Sequence, residues 1–342
     1  MKLGIDSYTL RWQGWDVFRL LEYSASLGLD VVHLGRGELE SLDEAYLREV
    51  KARADVLGLS LELAIGSIDK WVSYFRADAG PAEAQFRALL PAARALGSPI
   101  IACTLGGRAE RDGEIPWSAH VDEVRRVLAA VSVDVREWGI LATLETHGDF
   151  LARELKALVE EVGPDVVGVC LDTGNPVTLA EDPVLTTELL APYTLTSHVR
   201  DSRVWRAPEG AVYQWVPMGE GNVDLRRIVS TLQERAPKMS FNLETLTASP
   251  PRLIPLGPDA DIWRICPGAL AGDFVRYLAL AESGTPGELE QALMPPGQGT
   301  PPEGVLGERL IEQQRRHFEQ SVRYCREVLG LGERARGESA AD

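Results

Sequence analysis

The sequence has little positive charge and few cysteines. Its 342 residues include 35 lysines and arginines against 51 aspartates and glutamates, which gives a formal net charge of −16. A nucleic-acid-binding protein needs a clustered positive surface to contact phosphates, so this balance argues against a nucleic-acid partner. The cysteines show no metal-ligand spacing, and we expect buried free thiols in a reducing compartment. They are Cys103, Cys170, Cys266 and Cys325.

The chain also lacks a long hydrophobic run. No apolar stretch approaches the roughly 20 residues that a membrane-spanning helix requires, although 45% of the residues are hydrophobic. A strand-like pattern begins at Lys2, so we expect no signal peptide. These absences predict a cytoplasmic protein with a sizeable core and no membrane partner.

Short β-branched runs alternate with longer amphipathic segments along most of the chain. This alternation is typical of βα units on a parallel sheet. A doubly wound dinucleotide-binding sheet would carry G-x-G-x-x-G after its first strand, and that motif is missing there. Eight strands predict an α/β fold of the (β/α)8 TIM barrel type, as a single domain over residues 1–330. The predicted strands are 2–7, 30–34, 60–65, 99–105, 140–146, 167–172, 194–199 and 239–245.

Proline and glycine become frequent after the eighth predicted strand. Residues 248–258 and 284–304 are rich in both, with room for a helix between them. We therefore predict an extended loop insertion over 248–304, after strand eight and on the catalytic face, where this fold places its active sites. Residues 308–329 are predicted to supply the eighth outer helix, and the polar residues 331–342 a flexible tail.

Each of the last four predicted strands ends in a residue that can bind a metal ion: Glu145, Asp172, His198 and Glu244. Side chains alternate along a strand, and in all four strands the bulky apolar residues occupy the opposite face, toward the outer helices. Three carboxylates and one imidazole would then converge at one rim, where a divalent cation would relieve their repulsion. The donor set suits Mn²⁺, Mg²⁺ or Co²⁺. The alternative is four unrelated polar residues at loop ends.

Several short motifs lie at these strand ends and in the segment after the seventh strand. They are Glu145, Leu171-Asp172-Thr173-Gly174-Asn175, His198-Val199-Arg200-Asp201, Gly219-Glu220-Gly221-Asn222-Val223-Asp224 and Glu244. With them the sequence resembles the xylose isomerase-like barrel superfamily, often described as sugar phosphate isomerases and epimerases, over most of residues 1–246. The resemblance implies that Glu145, Asp172, His198 and Glu244 bind one divalent metal ion. It also implies that Glu145 and Glu244 move a proton at a carbon next to a carbonyl.

The chemistry of such a site leaves three outcomes open. Removing a proton next to a carbonyl produces an enediolate, whose charge a metal ion stabilises as a Lewis acid. Returning the proton to the other face gives epimerisation, returning it to the neighbouring carbon gives isomerisation, and losing a β-substituent gives lyase chemistry. We expect a metal-dependent isomerase or epimerase of a sugar or keto-sugar. The alternative is a lyase or dehydratase acting on a keto-inositol or a 3-keto-glycoside.

Two other classes fit the sequence less well. An endonuclease of this superfamily binds three metals with extra histidines, whereas this acidic chain has only five histidines. A non-catalytic barrel would more easily have lost one of the four predicted ligands. The expected partner is a small-molecule carbohydrate, and homo-oligomerisation stays open.

Three residues near the predicted strand ends are candidates for binding substrate. His147 lies two residues beyond Glu145 and should project toward the same rim. His33 ends the second predicted strand, where packing is the alternative role. Asn175 stands at a position where the resemblance implies a substrate-contacting histidine in keto-sugar epimerases, so a close match to those enzymes is in doubt.

A basic, aromatic stretch over residues 200–206 follows the seventh predicted strand. Within it, Arg203 or Arg206 could hold a carboxylate, a phosphate or sugar hydroxyls. The alternative is a solvated loop paired with the abundant acidic residues. Asp201 could orient a metal-bound water or His198, because a ligating imidazole usually donates its other N–H to a carboxylate. The alternative for Asp201 is a surface salt bridge.

Overall fold

Eight parallel strands close into a barrel in the computed structural model, which describes residues 1–287, 291–295 and 298–333. In chain order the strands are β1 (Lys2–Asp6), β2 (Val31–Gly35), β3 (Ser60–Ser67), β4 (Ile100–Thr104), β5 (Leu141–Glu145), β6 (Val167–Asp172), β7 (Thr194–His198), β8 (Asp201–Ala207), β9 (Gly210–Val216), β10 (Ser240–Leu243) and β11 (Arg252–Pro255). Around the barrel the order is β1, β10, β7, β6, β5, β4, β3 and β2. The predicted fold class is confirmed.

Helices connect the barrel strands and cover their outer faces. They are α1 (Val17–Ser26), α2 (Glu44–Val56), α3 (Ala82–Leu96), α4 (Arg108–Arg111), α5 (Trp117–Trp138), α6 (Ala152–Val162), α7 (Pro183–Leu190), α8 (Leu225–Arg235), α9 (Asp261–Ile265), α10 (Ala271–Ser283) and α11 (Val305–Glu327). Aspartates begin several of them. The side chain of Asp16 accepts a hydrogen bond from the backbone N–H of Arg19, which fixes the start of α1. No helix among the described residues is long and apolar enough to span a membrane.

The last four barrel strands alternate between an apolar outer face and a polar inner face. Leu144, Leu171 and Phe241 belong to the main apolar core, which fills the space between strands and helices. The neighbouring residues Thr143 and Asn242 are also fully buried but point into the barrel, where polar side chains can pair with one another. This alternation carries the ionisable residue at each strand end to the inner face.

A layer of hydrogen-bonded polar residues fills the barrel below the rim. Oε2 of Glu62 accepts hydrogen bonds from the hydroxyl of Thr196 at 2.5 Å and from Nδ2 of Asn242 at 2.9 Å. Nδ1 of His33 lies 3.0 Å from the same oxygen. Gly4 faces this layer, and a Cβ there would clash with Oδ1 of Asn242 and the carbonyl oxygen of Val31. The interior is therefore a packed polar floor beneath the strand ends.

Three strands form a second, antiparallel sheet outside the barrel, in the order β11, β9, β8. The sequence predicts a loop over residues 200–206, whereas the structure forms β8 there, so the predicted loop is wrong. The strand forms because Val204, together with Tyr213 of β9, packs into an apolar cluster with Tyr277 of α10. That partner lies more than sixty residues further along the chain, so local sequence gave no sign of it.

The segment 248–304 contains β11, α9 and α10. Residues 288–290 and 296–297 of this segment lie outside the described residues. Its assignment as an insertion within one barrel domain stays a prediction. The outer helix predicted over 308–329 is α11. Of the predicted tail, residues 334–342 lie outside the described residues. All four cysteines are buried and free, as the sequence analysis expected.

Candidate active site

The parallel barrel brings the predicted metal ligands together at the carboxyl ends of its strands. Glu145 is the last residue of β5, Asp172 of β6 and His198 of β7, and Glu244 directly follows β10. One oxygen from each of the three carboxylates lies within 4.8 Å of the others. All four side chains are buried. Three carboxylates so close together in a protein interior require positive charge among them.

His198 points its two ring nitrogens at carboxylates on either side. Nδ1 lies 3.2 Å from Oε2 of Glu145 and 3.8 Å from Oε2 of Glu244. Nε2 lies 3.4 Å from Oδ2 of Asp6, the last residue of β1. Neither nitrogen makes a hydrogen bond of normal geometry, although both are buried. An orphaned, buried Nδ1 facing two carboxylates is the arrangement of a ligand prepared for a cation.

Arg200 supplies part of the positive charge. Its guanidinium contacts both Oδ2 of Asp172 and Oε2 of Glu244, and it stacks over the ring of Trp215 at 4.9 Å. Three predicted carboxylate ligands face this one guanidinium, so the cluster keeps an excess of negative charge. A divalent ion with oxygen and imidazole ligands matches that residual charge, so the residues present fit the metal ion that the sequence analysis expected.

The loop after β6 fixes the carboxylate of Asp172. Its Oδ1 accepts backbone hydrogen bonds from Gly174 at 2.6 Å and Asn175 at 2.9 Å. The side-chain amide of Asn175 donates to Oδ2 of Asp172 at 2.9 Å and approaches Oε1 of Glu145 at 3.5 Å. Burial nevertheless raises the pKa of Asp172 to about 7. Asn175 thus orients two carboxylates from behind.

The charges around Glu145 keep it ionised. Burial alone would raise its pKa, but His198 and His147 outweigh burial and lower the pKa of Glu145 to about 2. His147 responds in the opposite sense: although burial favours its neutral form, the carboxylates of Glu145 and Asp149 raise the pKa of His147. At neutral pH the site therefore holds a carboxylate that can accept a proton.

A cavity of about 680 Å³ opens beside this cluster. Its volume falls in the range of sites for small organic ligands. The cluster contributes Asp6, Glu145, His198 and Glu244, with His147 beside them. The remaining lining comes from the segments that end or follow β1 to β4 and includes Tyr8, Arg36, Ile65, Tyr74, Arg76 and Cys103.

The structure places the four predicted substrate-binding residues in different surroundings. Only His147 lines the cavity, with Nδ1 hydrogen-bonded to the carbonyl oxygen of Gly106. Asn175 lies behind the carboxylates. His33 is fully buried, and its ring packs edge-on against the ring of His198 with centroids 4.7 Å apart. The structure does not bring Arg203 to the cavity, because its guanidinium donates to the carbonyl oxygen of Glu220 at 2.8 Å.

The suggestion that Asp201 orients His198 is wrong. Both carboxylate oxygens of Asp201 accept backbone hydrogen bonds, from Ser202 on one side and from Gly219 and Gly221 on the other. The carboxylate that faces Nε2 of His198 is that of Asp6, at 3.4 Å. Sequence reasoning missed it, although Asp6 ends a strand and shares its inner face with Gly4, which is the pattern that revealed the other four residues.

We predict that Asp6→Asn weakens metal binding while the fold is kept. The amide oxygen can still accept the backbone hydrogen bond that Tyr8 donates to Oδ1 at 2.9 Å, but the negative charge facing Nε2 of His198 is lost. Removing such an outer carboxylate typically costs 10- to 100-fold in metal affinity, so we expect a loss of about that size for Mn²⁺ in titration calorimetry.

The matched control for this variant is Asp149→Asn. Asp149 is an equally buried aspartate on the same rim, and it accepts backbone hydrogen bonds from His147 and Phe150 rather than facing His198. Its affinity for Mn²⁺ should stay near that of the unaltered protein. Equal affinities for the Asp6 variant and the unaltered protein would show that Asp6 does not orient the ligand.

Comparison with known proteins relates this chain to one family. The family model described as xylose isomerase-like TIM barrel matches residues 21–264. Among curated proteins, a 3-oxo-isoapionate decarboxylase from Pectobacterium atrosepticum is 25% identical over 243 residues, which cover 68% of this chain and 81% of that protein.

Solved structures share the architecture at lower identity. A D-psicose 3-epimerase crystallised in the presence of D-fructose is 17% identical and aligns over 96% of this chain and 100% of its own, with a TM-score of 0.60. A xylose isomerase-like TIM barrel protein from Mycobacterium smegmatis in complex with magnesium is 17% identical and aligns over 82% of this chain and 97% of its own, with a TM-score of 0.55. Identities at this level show a shared fold.

Proposed function

This chain belongs to the xylose isomerase-like TIM barrel family, and from that premise we propose that it is a divalent-metal-dependent isomerase or epimerase of a sugar or keto-sugar. One observation carries the proposal. Glu145 and Glu244 lie at the wall of a ligand-sized cavity and form a buried carboxylate cluster with Asp172, and both glutamates face Nδ1 of His198. Two glutamates that reach the same cavity can act as an acid/base pair.

In this proposal Glu145, Asp172, His198 and Glu244 hold the metal ion. A divalent ion bound there supplies Lewis-acid stabilisation of negative charge on the substrate oxygens. Arg200 and Asn175 hold the carboxylates in place from the side away from the cavity lining. Because the cluster is buried, its fixed charges are screened less than charges at the protein surface and act more strongly on a bound substrate.

The two glutamates move the proton. Glu145 lines the cavity, so its carboxylate can reach a bound substrate and remove a proton from a carbon next to a carbonyl. Glu244, the other glutamate of the cavity wall, takes up a proton from solvent and delivers it to the opposite face of that carbon, which gives the epimer, while Glu145 releases its proton to solvent. Return of the proton to the neighbouring carbon gives the aldose–ketose isomer. The positions of the two hydroxyls in the bound substrate decide between these outcomes.

The likeness to proteins of known activity supports the substrate class. The D-psicose 3-epimerase acts on a ketose, and its barrel superposes on nearly the whole of this chain. The magnesium in the Mycobacterium smegmatis protein supports a divalent ion on a barrel of this kind. The cavity volume is compatible with a monosaccharide or a somewhat larger derivative.

A lyase is the second candidate function, favoured by the curated relative, which is named as a decarboxylase of a 3-oxo sugar acid. Loss of carbon dioxide from a 3-oxo acid leaves an enolate, the same type of intermediate that proton removal next to a carbonyl produces. One set of charges therefore serves either reaction. Loss of a β-hydroxyl from a keto-inositol or a 3-keto-glycoside is the dehydratase form of this candidate.

Incubation in D₂O tests the two candidates against each other. We expect that the Mn²⁺-loaded protein, given a panel of ketoses, sugar acids and 3-keto-glycosides, places deuterium on the carbon next to the carbonyl and leaves the carbon skeleton intact, as followed by NMR. Release of carbon dioxide or water, with no deuterium in the recovered substrate, would instead assign the lyase and overturn the isomerase. The Glu145→Gln protein is the control and should show neither change.

A further inference from the structure

Two arginines line the proposed active-site cavity in a protein whose net charge is strongly negative. Arg36 follows β2 and Arg76 lies in the connection after β3, so two separate segments bring them to one wall. Both also line an adjoining depression of about 180 Å³, together with Ile65. The two arginines thus form a basic surface where the cavity continues away from Glu145 and Glu244.

Neither arginine has an acidic partner in the part of the chain that the structure describes. Within the described residues, no carboxylate lies within 4.0 Å of the guanidinium of Arg36 or Arg76, although most other arginines of this chain are paired. Arg36 donates only to the carbonyl oxygen of Leu39, at 2.8 Å. Burial and the nearby positive charge of Arg76 lower the pKa of Arg36. Two positive charges that face a cavity without a counter-ion can bind an anion there.

Two other arginines near the strand ends already pair with carboxylates. Arg200 is held by Asp172 and Glu244, and the guanidinium of Arg203 lies 3.9 Å from Oε2 of Glu220. This leaves Arg36 and Arg76 as the cations that line the cavity free of carboxylates. A diffusing anion is repelled by the overall charge of this protein, so a local basic pair is the feature that would allow it to bind.

We propose that Arg36 and Arg76 form an anion subsite that holds the carboxylate or phosphate end of the substrate, while its carbonyl end reaches Glu145 and Glu244. The inference rests on the proposed function and narrows its substrate class to anionic sugar derivatives: sugar acids or sugar phosphates. A guanidinium pair suits either group, because each offers two or more oxygens to parallel N–H donors.

Binding of unreactive probes tests the subsite without turnover. D-gluconate, D-glucitol 6-phosphate and D-glucitol share a six-carbon polyol chain and lack a ketone or aldehyde. They differ in carrying a carboxylate, a phosphate or no charge. We expect the Mn²⁺-loaded protein to bind at least one of the two anions about ten-fold or more tightly than D-glucitol in titration calorimetry, as expected for charge-assisted hydrogen bonds. The preferred anion identifies the carboxylate or the phosphate class.

The metal ion also attracts anions. Substituting the arginines distinguishes anion binding at the subsite from anion binding to the metal ion. Arg36→Gln and Arg76→Gln should each remove about ten-fold of the anion affinity and change the D-glucitol affinity less than about two-fold. Arg48→Gln, at an exposed arginine of α2 paired with Glu44, is the matched control and should leave all three affinities unchanged.

The outcomes also distinguish this inference from the proposed function. If neither arginine variant binds the anions more weakly, or if D-glucitol binds most tightly, the anion subsite is wrong. Exchange of deuterium from D₂O into a neutral ketose would then still support the isomerase. Conversely, if anion binding depends on the arginines and no sugar exchanges deuterium, the anion subsite is supported and the isomerase proposal is wrong.

Discussion

Glu145→Gln is expected to lower turnover by about a thousand-fold or more while the barrel stays folded. The substitution replaces an ionised oxygen by an amide of the same shape, so the side chain can no longer accept a proton from carbon. It also removes one negative ligand from the cluster with Asp172 and Glu244. The amide oxygen can still face Nδ2 of Asn175, which limits the structural effect. Turnover is measured with whichever sugar exchanges deuterium, and folding by circular dichroism.

The control for this variant is Glu181→Gln. Glu181 is also a buried glutamate, but it accepts hydrogen bonds from the backbone N–H of Ala152 and does not line the cavity. Its substitution should leave turnover within about two-fold of that of the unaltered protein. Turnover of the Glu145 variant within ten-fold of normal, at full metal loading, would show that another group takes the proton.

The barrel and its cluster of carboxylates were accessible from the sequence because both follow from local periodicity. Alternating apolar residues locate the strands to within about two residues of their observed ends. The same alternation shows that Glu145 and Asp172 share the inner face while Leu144 and Leu171 face the helices. Parallel pairing then brings the strand ends to one rim, so a rule about single strands predicts a three-dimensional cluster.

The part of the cavity wall that the connections after β2 and β3 supply was not accessible in this way. Arg36, Tyr74 and Arg76 lie in turns and short 3₁₀ segments that follow strand ends, too short for a repeating pattern of side chains to show which of them face the cavity. The basic, aromatic surroundings of Arg203 instead favoured that arginine. The structure shows that these surroundings belong to the sheet of β8, β9 and β11, whose packing partner α10 comes from a distant part of the chain. Tertiary contacts, rather than composition, decide which arginine reaches the cavity.

Asp172→Asn is expected to abolish stoichiometric metal binding. The unaltered protein should retain about one Mn²⁺ per chain after loading and desalting, whereas the variant should retain almost none. The physical reason is that a carboxylate ligand becomes a neutral amide while Arg200 and the imidazole of His198 remain, so less negative charge is available to hold a divalent ion. Metal content is measured by elemental analysis of the desalted proteins.

Asp201→Asn provides a closely matched control for Asp172→Asn. Both aspartates are fully buried, both accept backbone hydrogen bonds at Oδ1, and burial raises the pKa of each to about 7. They differ in that only Asp172 belongs to the carboxylate cluster. Because Asp201 secures Gly219 and Gly221, its variant can lose thermal stability and should still retain about one Mn²⁺ per chain. If the two variants retain the same amount of Mn²⁺ per chain, membership of the carboxylate cluster makes no difference to metal binding. Asp172 would then not be a ligand of the ion.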